Sequence, residues 1–171
     1  MTQQHICLDL ETLSTKPNAA ILSIGAVKFD VERGIYDTFY QNVMTGKLNV
    51  YSYEVSTMQW WLQQSQEARD SVQGNQVFLQ EGLEKFLSWI GDTEKFLFWS
   101  MENFDAPIIQ FALETEIGTE GKLPFRNFRD YRTIKDLLKL EYPPFEGIKH
   151  NALDDARNEA LLIIEGLKKL Q

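Results

Sequence analysis

Ile6, Leu8 and Leu10 alternate with Cys7, Asp9 and Glu11. That is the period of a strand with one apolar face. The stretch AILSIGAVKFD predicts a second strand and IYDTFYQNVM a third. Glu32-Arg33-Gly34 between them reads as a turn, with glycine free to take positive φ. The three strands form an antiparallel meander. A helical pattern then starts near Ser56 and carries Met58, Trp61 and Leu62. Another runs from about Val77 to Ile90, with Phe78, Leu79, Leu83, Phe86, Leu87 and Ile90 at helical spacing. KFLFWSM suits a buried parallel strand. DAPIIQFALETEI reads as a helix with Pro107 in its first turn. FRNFRDY predicts a further strand and TIKDLLKL a helix. EYPPFEGIK is a loop by its two prolines and glycine. NALDDARNEALLIIEGLKKL closes the chain as a helix. Strands first, then helices alternating with strands, predict an α/β fold with a mixed sheet covered by helices.

The chain has 171 residues, which suits one domain over residues 1–171. Apolar residues make up 43% and aromatics 12%, enough for a packed core and too many for a disordered chain. No apolar run reaches the roughly 18 residues that span a bilayer. The opening MTQQHICLDL lacks a basic region followed by an apolar one, so no secretory signal is expected. Cys7 is the single cysteine and has no internal partner. A reducing, cytoplasmic setting without membrane attachment is the expectation. The net charge of -8 argues against a phosphate-binding surface. Bound dications would reverse that argument locally.

Asp9 and Glu11 are two apart on a strand, so both leave the same face. Two buried like charges repel and lose hydration. A hard divalent cation such as Mg²⁺, or Mn²⁺, removes both costs. Pairing with a lysine or arginine is the other solution. Asp105 follows a predicted buried strand at the start of a helix, where an acid can serve as a cap or a ligand. In HNALDDAR, Asn151 can cap the last helix, with Asp154 at its third position. Asp154 and Asp155 both suit the positive end of the helix, and periodicity puts Asp155 only slightly nearer the apolar stripe of Ala156, Ala160, Ile163 and Leu167. His150 sits between a proline-rich loop and that helix. Phe104 and the pair Trp60-Trp61 are candidates to stack on bases. Consecutive helical residues diverge by about 100°, so Trp61 is assigned to the core and Trp60 to the substrate. Arg126, Arg129 and Arg132 interleave with aromatics; they suit either phosphate contact or a solvated strand edge.

The order D-x-E, then F-D, then H-x4-D resembles the DEDDh class of 3′–5′ exonucleases in the DnaQ-like (ribonuclease H-like) superfamily. DLETLSTKPNAAILSIGAVKFD, Trp60-Trp61, FDAPII and HNALDDAR resemble its phage and bacterial branch, which includes exonuclease A and exoribonuclease-like domains. The resemblance covers nearly the whole chain. It implies a ribonuclease H-like sheet, antiparallel in its first three strands and parallel afterwards. It implies that Asp9, Glu11, Asp105 and Asp155 hold two Mg²⁺ ions, with Mn²⁺ as the alternative, and that His150 is the general base. Asp154 is then a neighbour and not a ligand. Many relatives carry threonine-glycine after D-x-E, where the terminal sugar is contacted; here Thr12 is followed by Leu13.

The implied activity is metal-dependent hydrolysis of single-stranded DNA or RNA from its 3′ end to 5′-mononucleotides. The substrate contacts expected are Thr12, Leu13, Phe104, Trp60 and Arg129. Many relatives are dimers, so a homodimer is a further expectation. Two rival readings are a non-catalytic nucleic-acid-binding module of the same fold and a ribonuclease H-like endonuclease.

Overall fold

The computed structural model describes residues 2–101 and 103–171. Six strands form one sheet: β1 (Gln4–Thr12), β2 (Ile21–Asp30), β3 (Gly34–Met44), β4 (Val77–Phe78), β5 (Phe96–Ser100) and β6 (Phe128–Asp130). Their order across the sheet is β4-β3-β2-β1-β5-β6. β1, β2 and β3 pair antiparallel, whereas β5 joins β1, and β6 joins β5, in parallel. The helices are α1 (Val55–Leu62), α2 (Gln66–Ser71), α3 (Leu79–Ile90), α4 (Asp105–Glu116), α5 (Tyr131–Leu138) and α6 (Ala152–Lys169).

Alternation along β1 divides the strand between two cores. Ile6, Leu8 and Leu10 pack with Leu83 and Phe86 of α3 and with Ile108, Ile109 and Leu113 of α4. Cys7 faces the other side, among Val27, Phe29, Trp99, Ile134, Ala160 and Ile163. Each such aliphatic or aromatic side chain stabilises the fold by about 1.5–3 kcal/mol when fully buried. Asp9 and Glu11 continue the Cys7 face, where the apolar layer ends and α6 begins.

Two local features fit α6 to that end of the sheet. Gly25 on β2 stands opposite Asp9. A Cβ there would lie 2.1 Å from the carbonyl carbon of Ala152, so only glycine lets the first residue of α6 press onto the sheet. The register of β1 slips between Glu11, opposite Ser23, and Thr12, opposite Ile21. Such a bulge twists a strand end and redirects its side chains.

Some elements depart from the sequence pattern. Val77 and Phe78 form β4 beside Val43 and Met44, and the helix begins at Leu79. Phe78 is exposed, so its helical spacing reflects no shared core. α2 was not predicted. It is a short polar helix capped by Ser65, whose side chain accepts from the Ala68 N–H, and it has too few apolar residues to show a period. Residues 125–127 of FRNFRDY turn as a 3₁₀ helix, and only Phe128–Asp130 pairs as a strand. Among the described residues no helix is long and apolar enough to cross a membrane.

Candidate active site

Glu11, His150 and Asp155 each offer one ligand atom, and these atoms lie within 4.8 Å of one another. They line a cleft of about 490 Å³. Asp9, Thr12, Phe104, Trp60, Ser56, Thr57, Thr15, Leu10 and Met101 complete its lining. Asp105 is only 2% exposed and lies behind this lining. Its Oδ1 accepts from the Leu10 N–H and its Oδ2 from the Met101 N–H, both at 3.1 Å. One carboxylate thereby ties β1 to the segment after β5. Phe104, not Asp105, caps α4, and Asp105 is its first residue.

The start of α6 is built as the sequence suggests. Asn151 caps it through hydrogen bonds from the Leu153 and Asp154 N–H groups. Asp155 turns toward the cleft and accepts from the His150 N–H at 2.9 Å. Asp154 turns away, accepting from the Ile148 N–H and pairing with Arg157. His150 has φ 65°, in the left-handed region that only a few per cent of residues other than glycine adopt. Its ring meets Trp60 edge to face at 4.8 Å between centroids. The other histidine, His5, is buried, accepts from Trp99 Nε1 at 3.0 Å and stacks on Phe29.

One acid was not anticipated. Glu159 lies one turn beyond Asp155 on α6 and accepts from the Cys7 thiol at 3.5 Å. Asp9, Glu11, Asp105, Asp155 and Glu159 thus share one region. Among the described residues no lysine, arginine or histidine side-chain nitrogen comes within 4.0 Å of any of their carboxylates. Burial, reinforced by the neighbouring charges, pushes Asp9 and Glu159 well above the usual carboxylate range. Burial, followed by the charges of Asp155 and Asp105, raises Glu11 to about 8. Burial raises Asp105 to about 7 against the opposing pull of its backbone hydrogen bonds. It raises Asp155 to about 6 against the bond from His150. Burial, and then the charge of Lys149, lowers His150. A cluster of acids without basic partners, open to a cleft, fits hard divalent cations.

The other expected contacts divide. Trp60 is 40% exposed at the cleft, whereas Trp61 is 7% exposed and donates from Nε1 to the Thr12 carbonyl at 2.9 Å. Leu13 does not line the cleft. Its apolar side chain is drawn between two core clusters, and its main chain bonds Ala20 and Glu54. Arg129 is also elsewhere. It lies on β6 opposite Trp99, with its guanidinium donating to the Arg126 and Phe128 carbonyls. Arg132 is held by the Asp130 carboxylate. The arginine-aromatic stretch therefore serves the edge of the sheet.

A family model described as a 3′–5′ exoribonuclease Rv2179c-like domain matches residues 4–166. The exodeoxyribonuclease of Enterobacteria phage T4 is 26% identical over 199 residues, covering 94% of this chain and 88% of the relative. Among solved structures, the nuclease domain of 3′hExo, a DEDDh family member bound to rAMP, matches with a TM-score of 0.62 at 16% identity. That match covers 98% of this chain and 93% of that one. E. coli exonuclease I in complex with a dA16 oligonucleotide matches with a TM-score of 0.68 at 15% identity, over 98% of this chain and 41% of that one. The six-stranded mixed sheet is the ribonuclease H-like fold of these nucleases.

Proposed function

Because the chain belongs to the Rv2179c-like 3′–5′ exoribonuclease domain family, we propose that it is a 3′–5′ exonuclease that removes mononucleotides from the free 3′ end of single-stranded nucleic acid. The observation that carries this reading is the convergence of Glu11, Asp155 and His150, with Asp9 beside them, in a cleft where, among the described residues, no lysine or arginine pairs with these acids. Asp9, Glu11, Asp105 and Asp155 would hold two Mg²⁺ ions, with Mn²⁺ as a substitute. Such cations neutralise the phosphoryl oxygens, make the attacking water more acidic and stabilise the leaving oxygen.

The chain's own groups supply the rest. His150, whose pKa burial lowers, would accept the proton of the attacking water in its neutral form. The indole of Trp60 and the ring of Phe104 offer flat apolar surfaces to bases. The hydroxyls of Thr12, Thr15, Ser56 and Thr57 line the cleft and suit a sugar. The family is described as an exoribonuclease and the phage relative is named an exodeoxyribonuclease, so both sugars must be tried.

The test is incubation with 5′-labelled single-stranded DNA and RNA of one sequence, in Mg²⁺, Mn²⁺ or EDTA. A metal-dependent ladder descending by single nucleotides is the expected result, and the faster strand names the sugar. Internal cuts would point to an endonuclease. No cleavage of either strand would refute the exonuclease reading.

A further inference from the structure

The segment that carries His150 is exposed from Glu141 to Lys149, apart from a half-buried Pro143, and has no regular secondary structure. It still delivers an imidazole to a defined place, on a backbone with φ 65°. Strained backbone of this kind persists only where the surroundings over-determine it.

Three side chains of α6 hold the segment. The N–H groups of Glu146, Ile148 and His150, alternate residues, donate to Asn158 Oδ1 at 3.1 Å, Asp154 Oδ2 at 2.9 Å and Asp155 Oδ2 at 2.9 Å. The helix therefore offers a row of acceptors to the chain much as a neighbouring strand would. Asn158 does most. It is 4% exposed, and its Nδ2 donates to the Glu146 carbonyl at 2.9 Å while its Oδ1 accepts from the N–H of the same residue. The Nδ2 also donates to the Asp154 carbonyl at 2.7 Å. Gly147 lies against the Asp154 carboxylate, where a Cβ would sit 2.4 Å from its Cγ.

From this geometry we infer that Asn158, assisted by Asp154, is a positioning residue that keeps His150 over the carboxylates. Asn158 touches no reacting atom. It fixes both polar groups of Glu146, four residues before the histidine. Without it those groups lie on an exposed stretch and can bond water, so the fold survives while the segment wanders. A base displaced by about 1 Å can cost about 10²-fold in rate.

This inference rests on the exonuclease reading, and a double-mutant cycle tests it. Asn158→Ala is expected to lower kcat by about 10- to 100-fold, with KM and Mn²⁺ affinity within about threefold of wild type. In a His150→Ala background the same substitution is expected to cost less than about twofold, since the group it positions is gone. Equal losses in both backgrounds would overturn the proposal, as would an unchanged kcat or a parallel loss of Mn²⁺ binding. Asp154→Ala, which removes the acceptor for Ile148 together with the ion pair to Arg157, supplies a second variant should Asn158→Ala fold poorly, and the same cycle applies to it. Trypsin cleavage after the exposed Lys149 reads the anchoring without turnover. It should be at least fivefold faster in either variant, and equal rates would overturn the clamp. A wild-type protein inactive on both DNA and RNA would sink the exonuclease reading instead, leaving the trypsin comparison to decide the clamp.

Discussion

The main-chain N–H of His150 donates to Oδ2 of Asp155 at 2.9 Å. One carboxylate therefore both holds the segment that carries His150 and faces the cleft. Asp155→Asn keeps the shape and an acceptor for that bond but removes the charge. Turnover should fall by about 10²-fold or more, beyond the effect of losing an outer partner of a metal site. Asp9→Asn should behave alike. Labelled-oligonucleotide kinetics and circular dichroism on the same samples decide the point. Normal turnover in either variant would remove that residue from the site.

The proposed role of His150 carries a pH signature. A lowered His150 must be neutral to accept a proton, so kcat should climb with pH along an acid limb whose midpoint lies below the ordinary histidine value of about 6.5. His150→Ala should lose roughly 10²–10⁴-fold and flatten that limb. Lys149→Gln removes a nearby positive charge and should move the midpoint upward. A limb that survives in His150→Ala would assign it to another group.

Stability without metal should depend on pH in a definite direction. Asp9, Glu11 and Asp105 titrate higher in the folded state than the ordinary carboxylate range near about 4. Above that range the unfolded chain has released protons that the folded state still holds. The stability they contribute is therefore present at low pH and lost as pH rises through the folded values, about 7 for Asp105 and about 8 for Glu11. His5, lowered to about 4 by burial, works oppositely below about pH 6.5, so the clean window is pH 6.5 to 8.5. Across it the Tm in EDTA should fall, and the rise on adding Mg²⁺ or Mn²⁺ should grow. Differential scanning fluorimetry measures both slopes. A Tm in EDTA that increases across the window contradicts the assignment.

Adjacent tryptophans should separate binding from folding. Trp60→Ala removes a half-exposed surface at the cleft and should raise KM by about 5- to 150-fold, the equivalent of about 1–3 kcal/mol for one stacked base, with little change in Tm. Trp61→Ala opens a cavity and strands the Thr12 carbonyl, at a cost of about 3–5 kcal/mol in stability. A reversal of the two phenotypes in urea titrations and steady-state kinetics would reverse the roles.

Much of this arrangement was legible from period and spacing. The alternation from Ile6 to Glu11 sent its apolar members to one core and its acids to the opposite face, and a capped helix start carried Asp155 beside them. Periodicity alone barely separated Asp154 from Asp155; the geometry does so, because the two bond different main-chain N–H groups. The Leu13 side chain packs against two core clusters, since a position in a motif does not say where an apolar side chain finds its best burial. Arg129 lies away from the cleft, with one guanidinium nitrogen donating to the Arg126 and Phe128 carbonyls, a placement that its spacing among aromatics does not reveal. Glu159 carried a faint signal, standing four residues after Asp155 and so on the same helical face. The tie between Asn158 and Glu146 spans 12 residues through an irregular segment, which no local pattern encodes.

Gly25 brings sheet and helix together main chain to main chain, with no side chain between. The gap between the acids of β1 and the acid of α6 is then set by the radii of carbon and oxygen, not by a rotamer that can flip. The base of the cleft behaves as a machined joint of zero clearance. Beside that floor His150 is held by the carboxylate of Asp155 and by the ring of Trp60, so the wall of the cleft is tied to the same helix that sets its base.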